Sequence, residues 1–127
     1  MLTVPVSVGE VIDKITILEI KLDHITDPAK RANIQFEHDT LHQVLHDSGL
    51  LTDEVMPLKA SLKRINETLW AIEDDIRDCE RRHVFDQTFI ELARSVYHTN
   101  DQRAAIKRAI NEATHSKMIE EKSYQAY

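Results

Sequence analysis

Apolar positions along this chain recur three and four residues apart over most of its length, the spacing that lines one face of an α-helix. The pattern is most regular over residues 53–83. There Val55, Leu58, Leu62, Ile65, Leu69, Ile72, Ile76 and Cys79 keep the alternation without a break. This amounts to about three heptads and roughly 45 Å of helix. A second long segment, 86–116, carries Leu92, Val96, Thr99, Arg103, Ile106, Ile110 and Ala113 on its seam, so the middle of the seam is polar. With only a short loop around His83 to Asp86 between them, the two segments are expected to form an antiparallel hairpin. The second helix either runs straight through or kinks near 99–101, where Asn100 or Asp101 could cap a separate last helix.

Two shorter helices are expected upstream. After an extended start (residues 1–6), Ser7-Val8-Gly9-Glu10 has the form of a capping box, with Val6 and Val11 placed for a hydrophobic staple. Helix 1 (7–26) carries Val8, Val11, Ile15, Leu18, Leu22 and Ile25 on one stripe. Ile12, Ile17 and Ile20 lie off that stripe, so the helix is apolar on more than one face and belongs at the centre or against a second subunit. Asp27-Pro28 is an N-cap followed by proline at the first helical position, and Gly49 is placed to end helix 2 (28–48). Ile34, Leu41, Val44 and Leu45 form its inward face. The charged tail, 117–127, either extends the last helix or docks elsewhere.

The fold class is therefore all-α: a long, coiled-coil-like antiparallel hairpin packed with two shorter N-terminal helices into one four-helix-type bundle. Composition supports this, because two glycines and three prolines in 127 residues are too few for the reverse turns of an all-β chain. A net charge of −6 without a basic cluster argues against nucleic-acid binding. The longest apolar stretch, Ile15 to Ile20, is too short to span a bilayer. One cysteine excludes an internal disulfide, Cys79 reads as a seam residue, and a cytoplasmic setting is expected.

Three polar groups could carry chemistry. Arg103 falls on a core line with Thr99 one turn before it, and a buried guanidinium requires a partner. Glu19 and the run Glu73-Asp74-Asp75 are the carboxylates considered for it. Arg94, Tyr97 and Asp101 share a face, with Asn100 beside them. Either this cluster holds an anionic ligand or a metal, or it is an ion-pair network that fixes helix register, the commoner case. The acidic run 73–80 together with Glu10-x-x-Asp13 distantly resembles the magnesium sites of all-α nucleotide pyrophosphohydrolases, where hard oxygens hold a phosphate-bridged ion. The paired E-x-x-E and E-x-x-D pattern of that family is not reproduced. His38, His42 and His46 form an i, i+4, i+8 stripe able to chelate zinc or nickel, although such a stripe is more often solvated.

Several longer motifs resemble a family of short, uncharacterised bacterial proteins known only by a domain-of-unknown-function label. They are Val4-Pro5-Val6-Ser7-Val8-Gly9-Glu10 with Asp13 to Lys21, Leu69-Trp70-x-Ile72-Glu73-Asp74-Asp75-Ile76, Phe89 to Tyr97 with Thr99-Asn100-Asp101-x-Arg103-Ala104, and Glu120 to Tyr124. The resemblance spans nearly the whole chain and implies no activity. It marks the motif residues that do not read as core: Asp13, Lys14, Glu19, Glu73, Asp74, Asp75, Arg94, Tyr97, Asn100, Asp101 and Arg103. The histidine stripe lies outside these motifs.

The functional expectation is a bundle acting by self-association, as a dimer, and by docking on a protein partner. The alternative is a small magnesium-dependent enzyme of the pyrophosphohydrolase kind.

Overall fold

The computed structural model describes residues 1–127 and contains four helices, α1 (Val8–His24), α2 (Pro28–Ser48), α3 (Val55–Arg82) and α4 (Gln87–Ala113). Each begins where local chemistry satisfies the free amides of a first turn. Ser7 accepts from the amide of Glu10, Asp27 from that of Lys30 and Asp86 from that of Phe89. At α3 the hydroxyl of Thr52 accepts from the amide of Val55. The capping box at α1 is half formed, because the Glu10 carboxylate turns to Lys107 on α4 and not to the start of its own helix. Val6 stays exposed and makes no staple.

Helix ends are equally specific. Gly49 closes α2 at φ 70°, and His83 takes the left-handed conformation between α3 and α4. At the end of α1 the Arg31 guanidinium donates to the carbonyls of Leu22 and of Ile25, the extended residue that follows the helix, so α1 stops at His24 and not at residue 26. α4 is continuous through Asn100 and Asp101 and ends at Ala113, before the expected residue 116. There the Thr114 hydroxyl donates to the Ile110 carbonyl, and His115 turns left-handed. The tail neither continues the helix nor leaves the molecule. It folds back along α4, pairing Glu120 with Lys107, Glu121 with Arg108 and the Tyr127 hydroxyl with Asp101.

α3 and α4 form the long antiparallel hairpin, and at 28 residues α3 is about 42 Å long. α1 is the central element, packing on each of the other three helices, whereas the backbone of α2 comes close to α1 alone. The all-round apolar surface of α1 thus has a direct cause: Ile12 and Ile15 join Leu62, Val55 and Ile110 of the hairpin and Leu45 of α2 in one core. Every seam position of α3 is at least half-buried, with Val55, Leu62, Ile72 and Cys79 enclosed. On α2, Ile34 and Leu45 face inward, but Val44 is exposed with Phe36 on the outer face, which corrects its expected position. No helix is long and apolar enough to cross a membrane.

α1 and α4 are antiparallel and touch closely at Gly9. A Cβ there would stand 2.6 Å from the Lys107 carbonyl oxygen and 3.0 Å from Asn111 Oδ1, so only glycine permits the approach. The Gly9 amide donates to Asn111 Oδ1 at 2.7 Å, spending on α4 a first-turn donor that the helix itself cannot satisfy.

Candidate functional site

One turn above that crossing, α1 presents Asp13 to the hairpin. The residue is 1% exposed, yet its carboxylate is fully engaged. Oδ1 accepts from Asn66 Nδ2 at 2.9 Å and from Arg103 Nε at 3.0 Å, while Oδ2 accepts from Arg103 Nη2. Asn66 also donates to Thr16 Oγ1 at 3.0 Å, and that hydroxyl donates to the Asp13 carbonyl. Three helices are therefore joined at one buried carboxylate. Arg103 is held above its ordinary pKa chiefly by the hydrogen bond to Asp13, against an opposing effect of burial.

This pairing corrects the expected partners of Arg103. Glu19 lies on the other side of α1, where Lys59 reaches it at 3.3 Å, Lys63 at 3.5 Å and His38 Nε2 at 3.2 Å. Burial acts to raise the Glu19 pKa and is its largest single influence. The His38 hydrogen bond and the two lysines together outweigh it and bring the value below 4.5. Glu73 pairs within its own helix with Arg77 at 3.5 Å.

Arg103 is not sealed in. Its side chain keeps 29% exposure and lines a cleft of about 430 Å³ between α1 and the hairpin. Ile17, Ile20, Leu69 and Trp70 supply the apolar part of the cleft, and Asn66, Asn100, Glu73, Asp74 and Arg77 share its polar part with Arg103. Trp70 is stacked on His24 at the end of α1, with ring centroids 4.8 Å apart.

The structure thus brings Asp13, Glu73, Asp74, Asn100 and Arg103 together and disperses the other expected residues. Lys14 and Asp75 are exposed. Arg94 meets only the Tyr97 hydroxyl, at 3.4 Å, and Tyr97 and Asp101 face the returning tail through Tyr127. His38 and His42 stack 5.6 Å apart, while His46 is exposed beside Asp47. Nowhere do three or more His, Cys, Asp or Glu side chains converge as a metal would require. The magnesium reading fits poorly for a further reason: Glu10 is committed to Lys107 and Asp13 to Arg103.

Residues not singled out from the sequence complete the network. Lys107 is 8% exposed, bonded to Glu10 at 2.8 Å and to Glu120 at 2.7 Å. Burial acts to lower its pKa, and the two carboxylates more than reverse that. Asn66, Thr16 and Asn111 are the others. A signal existed in the spacing of Arg103, Lys107 and Asn111, which run at i, i+4, i+8 beside the apolar line of Ile106 and Ile110. Asn66 sits four residues after Leu62 and three before Leu69, inside the apolar face of α3.

With the fold and cleft described, comparison with known proteins gives one result. A family model, described as a family of unknown function (DUF6165), matches residues 2–127. The chain belongs to the DUF6165 family. No curated protein and no solved structure matches it. Family membership therefore covers nearly the whole chain but brings no activity with it. The all-helical bundle and its Asp13-centred network stand as this DUF6165 chain's own description.

Proposed function

We propose that the protein works by association, pairing with a second copy through the far end of the α3–α4 hairpin. The observation that carries this is where α1 stops. It covers the hairpin seam only as far as His24, stacked on Trp70, so the seam beyond has no third helix over it. Ile76, Phe89, Leu92 and Val96 there are only half-buried, and Phe85 and Ile90 are 53% and 47% exposed. An apolar end of this kind on an otherwise charged helix pair is the usual mark of a protein contact. Two copies laid tip against tip would bury the same patch on each, as a two-fold dimer requires. The base of the bundle and the tail-covered face of α4 would stay free for a protein partner.

Sedimentation tests the proposal. The expected result is a dimer that becomes monomeric in a Phe85→Ser, Ile90→Ser double variant with its helical signal intact. A wild-type chain that sediments as a monomer with full helical signal overturns it.

A further inference from the structure

The cleft beside Asp13 has features that a purely structural network does not need. Asn66 is 5% exposed and spends both amide hydrogens on Asp13 and Thr16, which fixes the orientation of its carboxamide. Its Oδ1 accepts no hydrogen bond within the chain. No fully enclosed side-chain nitrogen or oxygen in the molecule lacks a partner, so this oxygen is where the buried network opens into the cleft. Arg103 lies beside it, since both residues bond the same Asp13 oxygen. Arg103 uses Nε and Nη2 on Asp13 and directs Nη1 towards Asn100, where the contact is a long 3.5 Å. A free acceptor and an under-used donor thus line the same cleft, each held by a residue that the protein has already paired.

Charge decides what they can take. The Arg103 guanidinium is compensated by the enclosed carboxylate of Asp13, and Arg77 is compensated by Glu73. Asp74 is left over, so the cleft and its immediate support carry about one net negative charge within a chain of net charge −6. An anion would meet donors whose charge is already spent and a carboxylate that repels it. A hydroxyl suits the site better, because it accepts from Arg103 and donates to Asn66 Oδ1 at once. Further hydroxyls can reach Asn100, Glu73 and Asp74, and a C–H face can lie on Leu69, Ile17 and Trp70. The volume, about 430 Å³, lies within the range of small-molecule sites.

We propose that the cleft between α1 and the α3–α4 hairpin binds an uncharged, hydroxyl-rich small molecule of the polyol or sugar class, anchored between Arg103 and Asn66 Oδ1. This site is separate from the apolar hairpin end and does not depend on self-association.

Heteronuclear NMR on the full chain tests it, reading the Trp70 indole signal and the Asn66 and Asn100 carboxamide signals. Inositol, glucose and galactose serve as neutral probes, glucuronate as the anionic one and glucosamine as the cationic one. At least one neutral probe is expected to move these signals saturably in the millimolar range, with glucuronate binding more weakly than glucose. Asp74→Ala, an exposed change that leaves the Asp13 contacts alone, should weaken binding of the neutral probe about fivefold. Tighter binding of glucuronate than of every neutral probe would make this an anion site and overturn the proposal. Saturation by glucosamine alone would make it a cation site, with the same consequence. Absence of saturable shifts with all five probes, or a titration unchanged in Asp74→Ala, also overturns it.

Discussion

Asp13 and Arg103 share one ion pair but not one environment. The carboxylate is 1% exposed, whereas the guanidinium keeps 29% and faces the cleft. Removing the arginine strands a buried carboxylate with only Asn66 to answer it, so Arg103→Met should cost about 3–5 kcal/mol. Asp13→Asn leaves Arg103 free to turn into the cleft and hydrate, and should cost about 1–3 kcal/mol. Denaturant midpoints at unchanged slope measure both, and equal or reversed losses would refute the asymmetry. Gly9→Ala offers a second test. Alanine normally stabilises a helix by about 1 kcal/mol over glycine. Here the added Cβ meets the Lys107 carbonyl at 2.6 Å and must push α1 from α4, so a loss of about 1–3 kcal/mol is expected. That Arg103 needed a partner was legible in the sequence, because a guanidinium stood on an apolar line. Which partner was not. Periodicity identifies the face of one helix but not how a second helix crosses it, so the carboxylates expected for Arg103 were Glu19 and Glu73-Asp74-Asp75, and Asp13 was not among them. Asn66 was hidden because the residue beside it, Ile65, continues the seam.

α2 is the least anchored of the four helices, because its backbone comes close to α1 alone. Ile34 and Leu45 supply its apolar contact, and the polar one is the His38 bond to Glu19, which Lys59 and Lys63 of α3 also hold. Since the folded pKa of Glu19 lies below its ordinary 4.5, this carboxylate contributes stability that is fully present above that value. The contribution is lost as pH falls through the lower folded value. Acidification should therefore loosen α2 before the rest of the bundle, seen as faster hydrogen exchange in α2 amides than in those of α1. Glu19→Gln should flatten that acid dependence, and an acid slope identical to the wild type would count against it. The boundaries of α2 were plain in Asp27-Pro28 and Gly49, because caps and breakers are local chemistry. Its solitary attachment was not, and neither was the returning tail. Residues 117–127 carry no period, and their path is set by ion pairs to Lys107 and Arg108 thirteen residues away along the chain.

For the molecule as a whole, the surface is larger than its mass warrants. A compact 14.7 kDa monomer is expected to expose about 6,900 Å², and this chain exposes 8684 Å². Part of the excess, about 1,800 Å², belongs to the extended residues 1–6 and the tail. The rest reflects a hairpin that outruns the helix meant to cover it. A standard interface buries about 800 Å² on each partner, so tip-to-tip pairing could account for much of the difference. Pairing of this kind would couple folding to concentration, because a partner copy that binds only the folded chain stabilises it by mass action. The unfolding temperature should therefore rise as the protein is concentrated. In the Phe85→Ser, Ile90→Ser variant it should be lower and independent of concentration, since those changes remove the shared surface without touching the Asp13 network. A wild-type unfolding temperature that stays constant over a hundredfold range of concentration would overturn the pairing.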